Sequence, residues 1–441
     1  MQCSPGEPAV PSTITSFYLL RRYKVEIRES IHRAARAAAR YTNPNYLCAA
    51  ILMLVLTAVS ATAQTQHFIA LHEFNGQVRN GVADGSNPRG ALLLDGNGNL
   101  FGTTFFGGGA GEGTVFKIDN TGTESVMFTF QGSTSGSNPA TPLVEDGFGN
   151  LIGIADGGPG AGVIYRLSQD GQETTLFNFQ GGLDNLAPKV PTGGVFIDKV
   201  GNILGTTLFG GSANCSSGCG TIYRLDTAGT LHVVHKLNGR SEGSQPYGPF
   251  IRDAAGNFLG VAKSGGNLAC PEFPQAGCGT VFKIAPNGKL TVLHTFKGGA
   301  DGAVPQPGLL IDAAGNIFGS ASLGGSQEQG LVFKITSTGT YTVIHRFNGT
   351  EGANPNGGLV EDEAGNLFGT ALNGGSDAEG TAFELTQFGR VTVLHNFLGG
   401  ADGSFPEAGL IRDQLGHLFG TTLRNFIIEP VQGGNVFEMR P

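Results

Sequence analysis

Tryptophan is missing from this 441-residue chain, and tyrosine occurs only eight times. Four of those tyrosines, Tyr165, Tyr223, Tyr247 and Tyr341, follow residue 64. Sugar-binding surfaces that rely on stacked amphipathic rings therefore have little to build with. Charge is thin too: 14% of residues are Asp, Glu, Lys or Arg, and the net charge is −8. No basic cluster appears after Gln64. Phosphate binding draws its affinity from clustered Lys and Arg, so nucleic acid is not expected as a partner. A spanning helix needs ~20 apolar residues, and the run Leu47 to Val59, "LCAAILMLVLTAV", stops at thirteen.

That run has another use. It follows a stretch holding seven basic residues (Arg21, Arg22, Lys24, Arg28, Arg33, Arg36, Arg40) against three acids (Glu7, Glu26, Glu29), and it precedes Ala61-Thr62-Ala63. Basic, apolar, then A-x-A is the order of a signal peptide, with cleavage before Gln64. Residues 1–63 are read as a signal peptide with an extended n-region, and 64–441 as the mature domain. The leader carries +4, which taken from the whole-chain −8 leaves the mature part at −12. Export to the periplasm, the cell surface or the medium is expected, with no transmembrane span after cleavage.

What the chain has in excess is glycine, 73 residues, and repetition. So much glycine disfavours helix and suits short strands joined by tight turns. The octet DGNGNLFG from Asp95 returns as DAAGNFLG from Asp253, DAAGNIFG from Asp312 and DEAGNLFG from Asp362. Its Asp recurs at 95, 146, 198, 253, 312, 362 and 413, spaced 51, 52, 55, 59, 50 and 51 residues apart. A period near 50 is that of propeller blades. Each unit carries four strand-like runs; in the fifth they are GLLID, NIFGSAS, LVFKI and YTVIHRF. Four strands make one blade.

The array is split between its ends. The seventh unit stops at NVFEMRP without a fourth strand, and HFIALHEF, His67 to Phe74, stands unpaired before the first. The sequence therefore specifies an all-β, seven-bladed β-propeller of four-stranded antiparallel blades, its last blade closed by the N-terminal strand of the mature chain. Closure removes the open edges an array would expose. Within each unit the Asp reads as a hairpin turn, accepting backbone N–H groups. A Pro seven residues earlier (Pro88, Pro139, Pro191, Pro246, Pro305, Pro355, Pro406) reads as a stiffener of the crossing between blades.

The pattern P-x(2-3)-G-L-[IV]-x-D-x-x-G-N-L-F-G-T-T, then G-G, G-T-V-F-K-I and T-V-L-H-x-F, resembles the GloVer (Gloeo-Verruco) tandem repeat of exported bacterial proteins. The resemblance spans residues 67 to 440. It implies a propeller-like exported or surface protein and supplies no activity and no catalytic residues.

Candidates for chemistry are few. His72, His235, His294, His345 and His395 share one place in the fourth strand, where two other units have Phe128 and Phe177. That strand lies about 14 Å out from the first, so the five cannot meet at one ion, and packing between blades is the expected role. Cys215 with Cys219, and Cys270 with Cys278, are read as two local disulfides in an exported chain; the rival is a four-thiolate zinc site across adjacent blades. The loops between strands two and three and the blade crossings are long and emerge on one side, the expected working face. There Asp84, Asp184, Glu242, Asp301, Glu351 and Asp402, with Ser135 in the remaining unit, form a candidate acidic binding ring around the channel mouth, or ordinary turn residues. No catalytic residues, resident metal or cofactor are expected; Ca²⁺ at the acidic loops is the one cation considered.

Nothing non-repeating stands out as a triad, a metal-spaced set or a phosphate loop. The expectation is an exported, non-catalytic binding or surface-interaction propeller, monomeric, with a glycan, peptide or envelope partner. The alternatives are a propeller-fold enzyme of lyase or hydrolase type and a purely structural cell-envelope component.

Overall fold

The octet folds as its chemistry requires. Asp95 Oδ1 accepts the N–H groups of Asn97 and Asn99, each at 2.8 Å, and Oδ2 accepts the Asn99 side-chain amide at 2.7 Å. Backbone bonds from Asp95 N–H to Asn99 and from Gly98 N–H to Asp95 complete the hairpin. The same bonding recurs at Asp146, Asp198, Asp312 and Asp362. In the last unit His417 replaces the Asn, and its Nδ1 lies 3.1 Å from Asp413. Burial opposes ionisation of Asp95, Asp146, Asp198 and Asp253, but the bonds they accept outweigh it and hold all four carboxyls below their usual range. The final Gly of the octet makes room: a Cβ on Gly102 would stand 2.5 Å from the Phe116 ring of the neighbouring strand.

This computed structural model describes residues 67–440 apart from 77, 80–81, 159, 181–185, 326 and 424–432. Residues 1–63, which the sequence pattern reads as a signal peptide, and Asp184 thus lie outside the described residues. Each hairpin begins a four-stranded antiparallel sheet, and seven such sheets form the ring. In the fifth blade the innermost strand is Ala303–Pro305 with Leu310–Ile311, followed outward by Ile317–Leu323, Leu331–Ile335 and Tyr341–Arg346. The seventh contains Ile411–Arg412, Leu418–Thr422, Asn435–Arg440 and, outermost, His67–Glu73. Its register runs antiparallel from His67 opposite Arg440 to Glu73 opposite Asn435. The first strand of the ring therefore completes the last sheet.

Apolar residues gather between the blades, in seven clusters that match the seven interfaces. At the first, Phe130 meets Tyr165 edge-on at 5.1 Å; at the closing one, Phe74 lies 4.9 Å from Phe116. Tyr165 and Tyr223 are wholly buried where the other blades bury Phe116, Phe282, Phe333, Phe383 and Phe437. Fully burying each such ring stabilises by roughly 1.5–3 kcal/mol, so every interface is a small core.

Four of the seven recurring prolines sit in strands and not in the crossings. Pro191, Pro246, Pro305 and Pro355 pair with Thr207, Ala262, Ala321 and Ala371 inside the innermost strands. These strands are sheet edges facing the axis, where a missing N–H breaks no ladder. The residue before each Pro (Asn87, Asn138, Val190, Gln245, Val304, Asn354, Phe405) has φ between 53° and 57°. Such a conformation costs a non-glycine about 1 kcal/mol or more. Neighbouring structure offsets it: the N–H of Gln245 bonds Cys219 O at 2.8 Å, and that of Val304 bonds Cys278 O at 2.9 Å. The loop of one blade thus grips the inner strand of the next.

Candidate functional site

The crossings begin beside the outermost strand, and that placement decides what their acids touch. Glu242 lies 3.2 Å from His235, Asp301 3.1 Å from His294, Glu351 2.6 Å from His345 and Asp402 2.8 Å from His395. Asp84 and His72, both buried, are 3.6 Å apart. The described acids therefore stand at the perimeter, each against its own histidine, and are not brought together around the axis. They also close their loops, as Asp301 accepts the Lys297 N–H at 2.9 Å and Asp402 the Leu398 N–H at 2.8 Å. Ser135 does the same for Gln131 at 2.9 Å. The histidines pack between blades as well: His294 stacks on Tyr341 at 3.6 Å, His395 stacks on Phe68 at 4.1 Å, and His345 Nδ1 lies 3.1 Å from Gly389 O.

Cys215 is bonded to Cys219 and Cys270 to Cys278. The four sulfurs are thereby consumed in local bridges, which leaves no thiolates for zinc. Each bridge fixes a carbonyl that holds the next inner strand, through the bonds to Gln245 and Val304.

The axis holds what the perimeter does not. A cavity of about 350 Å³ opens in the central channel, lined by the innermost strands of all seven blades. Its polar lining comes from one repeat-equivalent position, the residue after each proline. That position reads Arg89, Ala140, Thr192, Tyr247, Gln306, Asn356 and Glu407. The residue that follows strand two in the first and second blades, and its equivalents in the others, forms a second ring at the same end of the blades, Phe105, Asp156, Leu208, Lys263, Ser322, Leu372 and Leu423, of which Lys263 lines the cavity. Within each blade the rings meet. The Arg89 guanidinium lies 4.2 Å over Phe105, Lys263 Nζ lies 4.4 Å over Tyr247, and Gln306 Nε2 donates to Ser322 Oγ at 2.9 Å. Both rings lie where the crossings arrive and the two-to-three loops leave, so the cavity opens on the long-loop side.

Beneath the rings, glycine backbone from adjacent blades comes into contact. A Cβ on Gly357 would stand 2.4 Å from the Gly409 nitrogen, and one on Gly308 the same distance from Gly358 Cα. This collar narrows the channel and gives the cavity a floor.

Charges in the cavity are incompletely paired. Arg89 Nε and Glu407 Oε2 are 3.8 Å apart, both occluded and neither hydrogen-bonded. Burial pushes the Glu407 carboxyl up, with Arg89 and Lys263 pulling it back, and burial pushes the Lys263 ammonium down, with Glu407 opposing. Tyr247 is held above its usual range by burial and by the nearby Glu407 and Asp156 charges. None of these residues belongs to the chemistry that recurs along the chain. Their signal is the reverse, a position that varies inside a unit that otherwise repeats.

Fold and cavity together define a closed seven-bladed propeller with a polar pocket in its axial mouth. The chain belongs to the Gloeobacter/Verrucomicrobia repeat family, whose sequence pattern matches residues 57–270 and 272–441. No curated protein matches it. Among solved structures it is similar to the extracellular domain of a protein described as a one-component system, BT4673 of B. thetaiotaomicron, at 14% identity and TM-score 0.51, over 85% of this chain and 41% of that one. A second, the extracellular domain of a hybrid two-component system, BT3049 of the same organism, gives 15% identity and TM-score 0.50 over 86% and 41%. The chain thus spans about two fifths of either structure. A gluconolactonase of Xanthomonas campestris, XC5397, reaches TM-score 0.43 at 14% identity, over 87% of this chain and 92% of that one. At such identities the likeness is one of fold. Among the described residues no helix is long and apolar enough to cross a membrane.

Proposed function

We propose that this protein is an exported, non-catalytic binding propeller that takes a small polar ligand in the long-loop mouth of its central channel. One observation carries the reading: seven equivalent positions, each following a recurring proline, hold seven different side chains, and six of them, all but Thr192, line one cavity. Scaffold positions repeat because every blade poses the same packing problem. Positions that differ are released from that problem, and charged groups left partly buried there are costly unless something uses them. Export is supported by the two disulfides, which persist in oxidising compartments. The extracellular setting of the similar propellers is compatible by analogy of fold. A purely structural envelope role gives no reason for the varied ring.

The test is a thermal-shift screen of small soluble compounds against the wild type and a Tyr247→Ala/Gln306→Ala variant. A ligand at 100 times its Kd adds about 2.7 kcal/mol to the wild type and little to the variant. A ligand that stabilises both equally, or a screen that stabilises neither, overturns the axial site.

A second reading, catalysis, is favoured by the raised Glu407 carboxyl beside the lowered Lys263 ammonium, an opposed pair of the kind acid–base sites use. Recovering the bound ligand chemically unchanged after prolonged incubation rejects it; a converted product establishes it.

A further inference from the structure

We infer that the ligand is a small monoanionic hydroxycarboxylate of the sugar-acid class, its carboxylate held between Arg89 and Lys263. The inference rests on the axial pocket being the binding site and names what that pocket selects. The first support is charge. The cavity lining carries Arg89 and Lys263 against Glu407, with Asp156 close enough in the second ring to act on Tyr247, so two cations stand beside two carboxylates in a chain of net charge −8. Against that acidic background the two clustered cations are the groups that would draw a carboxylate to the mouth.

The cations are also free to bind. Arg89 is held by its stack on Phe105 and by the charge of Glu407, yet its Nε makes no hydrogen bond. Its planar donor fork is the geometry that meets a carboxylate with two parallel bonds. Lys263 rests on the Tyr247 ring, with no carboxylate oxygen within 4.0 Å of it among the described residues. Glu407 then sets the limit. With a carboxylate 3.8 Å from Arg89, a dianionic phosphate meets repulsion that a single negative charge largely escapes.

Hydroxyl groups answer the remaining polar atoms. Tyr247, Gln306 and Asn356 place donors and acceptors around the same cavity. Size follows from the volume of about 350 Å³ and the glycine floor, at the small end of ligand pockets.

Isothermal titration of the mature protein with D-glucuronate, D-galacturonate and D-gluconate, beside glucose, glucose 6-phosphate and glutamate, tests the assignment. At least one sugar acid is expected to bind about tenfold or more tighter than glucose, the phosphate and the zwitterion. Arg89→Met and Lys263→Met are each expected to weaken it by about tenfold or more, whereas the perimeter variant His345→Phe leaves the affinity unchanged. Circular dichroism of each variant separates lost binding from lost fold. Preference for glucose, phosphate or glutamate that Tyr247→Ala abolishes overturns the ligand class and leaves the axial site standing. Sugar-acid binding that survives both cation variants overturns the assignment of Arg89 and Lys263. No binding by any of the six compounds also overturns the class, and the wider thermal-shift screen then decides the site separately.

Discussion

The perimeter and the axial mouth are built by the same seven repeats, and they treat variation in opposite ways. At the perimeter one pairing recurs: five described units set a fourth-strand histidine against an acid in the following crossing, although the second unit keeps an acid, Asp184, after Phe177. Where the first blade has Phe128, that acid becomes Ser135, which keeps only the loop-closing bond. At the mouth, Arg89, Tyr247, Gln306 and Glu407 occupy one repeat position with no common chemistry. A recurring pairing preserves a structural solution, whereas uncoupled change at converging positions marks groups selected by something outside the scaffold.

Three changes break or sharpen that contrast, the largest at the closure. A chain beginning at Asn75 loses the strand that pairs with Asn435–Arg440. It also loses Phe68, which lies 6.0 Å from Phe397 and 5.5 Å from Phe437, and the buried Phe74. The buried Phe74 ring at roughly 1.5–3 kcal/mol, the half-buried Phe68 ring at less, and a sheet edge left open amount to a large part of a stability of about 5–15 kcal/mol. The truncated chain is expected to aggregate or to lose cooperative unfolding, measured by soluble yield and thermal denaturation. An unchanged melting temperature would sink the closure as the element that makes the blades a ring.

The middle-sized effect belongs to the perimeter. His345→Phe places there the ring already present as Phe128, but strands the half-buried Glu351 carboxylate that His345 contacts at 2.6 Å. The single change is expected to cost about 1–2 kcal/mol. Adding Glu351→Ser, which copies Ser135, should return about 1 kcal/mol of that as coupling in a double-mutant cycle. Urea denaturation gives both numbers. Zero coupling would mean the pairs are incidental and that the perimeter is no more constrained than the mouth.

How much of this was legible follows from the same contrast. The blade count, the hairpins and the closure could be read because the Asp turn, the proline and the missing fourth strand recur with the fold's own period. The proline was placed in the crossing because an absent N–H is tolerated there too; only pairing such as Pro246 opposite Ala262 puts it on the axis-side edge. Each acid was visible and each histidine was visible, but not that the chain turns back within seven residues to join them, so a ring about the axis and ordinary turn residues both stayed open, and the loop-closing bonds of Asp301 and Asp402 fit the second. The mouth escaped notice because Arg89, Asp156, Lys263 and Glu407 belong to no motif and lie far apart in sequence. They meet only when the blades close.

The smallest effect separates a working group from a structural one. Lys263 is partly buried, and among the described residues its ammonium has a tyrosine face for a neighbour and no carboxylate within 4.0 Å. Burial lowers its pKa, with Glu407 partly offsetting the shift. Between that lowered value and the ordinary one of about 10.4, the unfolded chain binds more protons than the folded one, so wild-type stability rises with pH across that window. Below that window both states are protonated and the folded state carries the full desolvation cost. Lys263→Met fills the same space without charge, so it is expected to stabilise by up to about 1 kcal/mol at pH 7. That gain should shrink as the pH climbs through the window, while the variant loses ligand. Urea denaturation at neutral and alkaline pH reads both signs. Destabilisation at neutral pH would make Lys263 part of the scaffold, and the mouth would then obey the same rule as the rim.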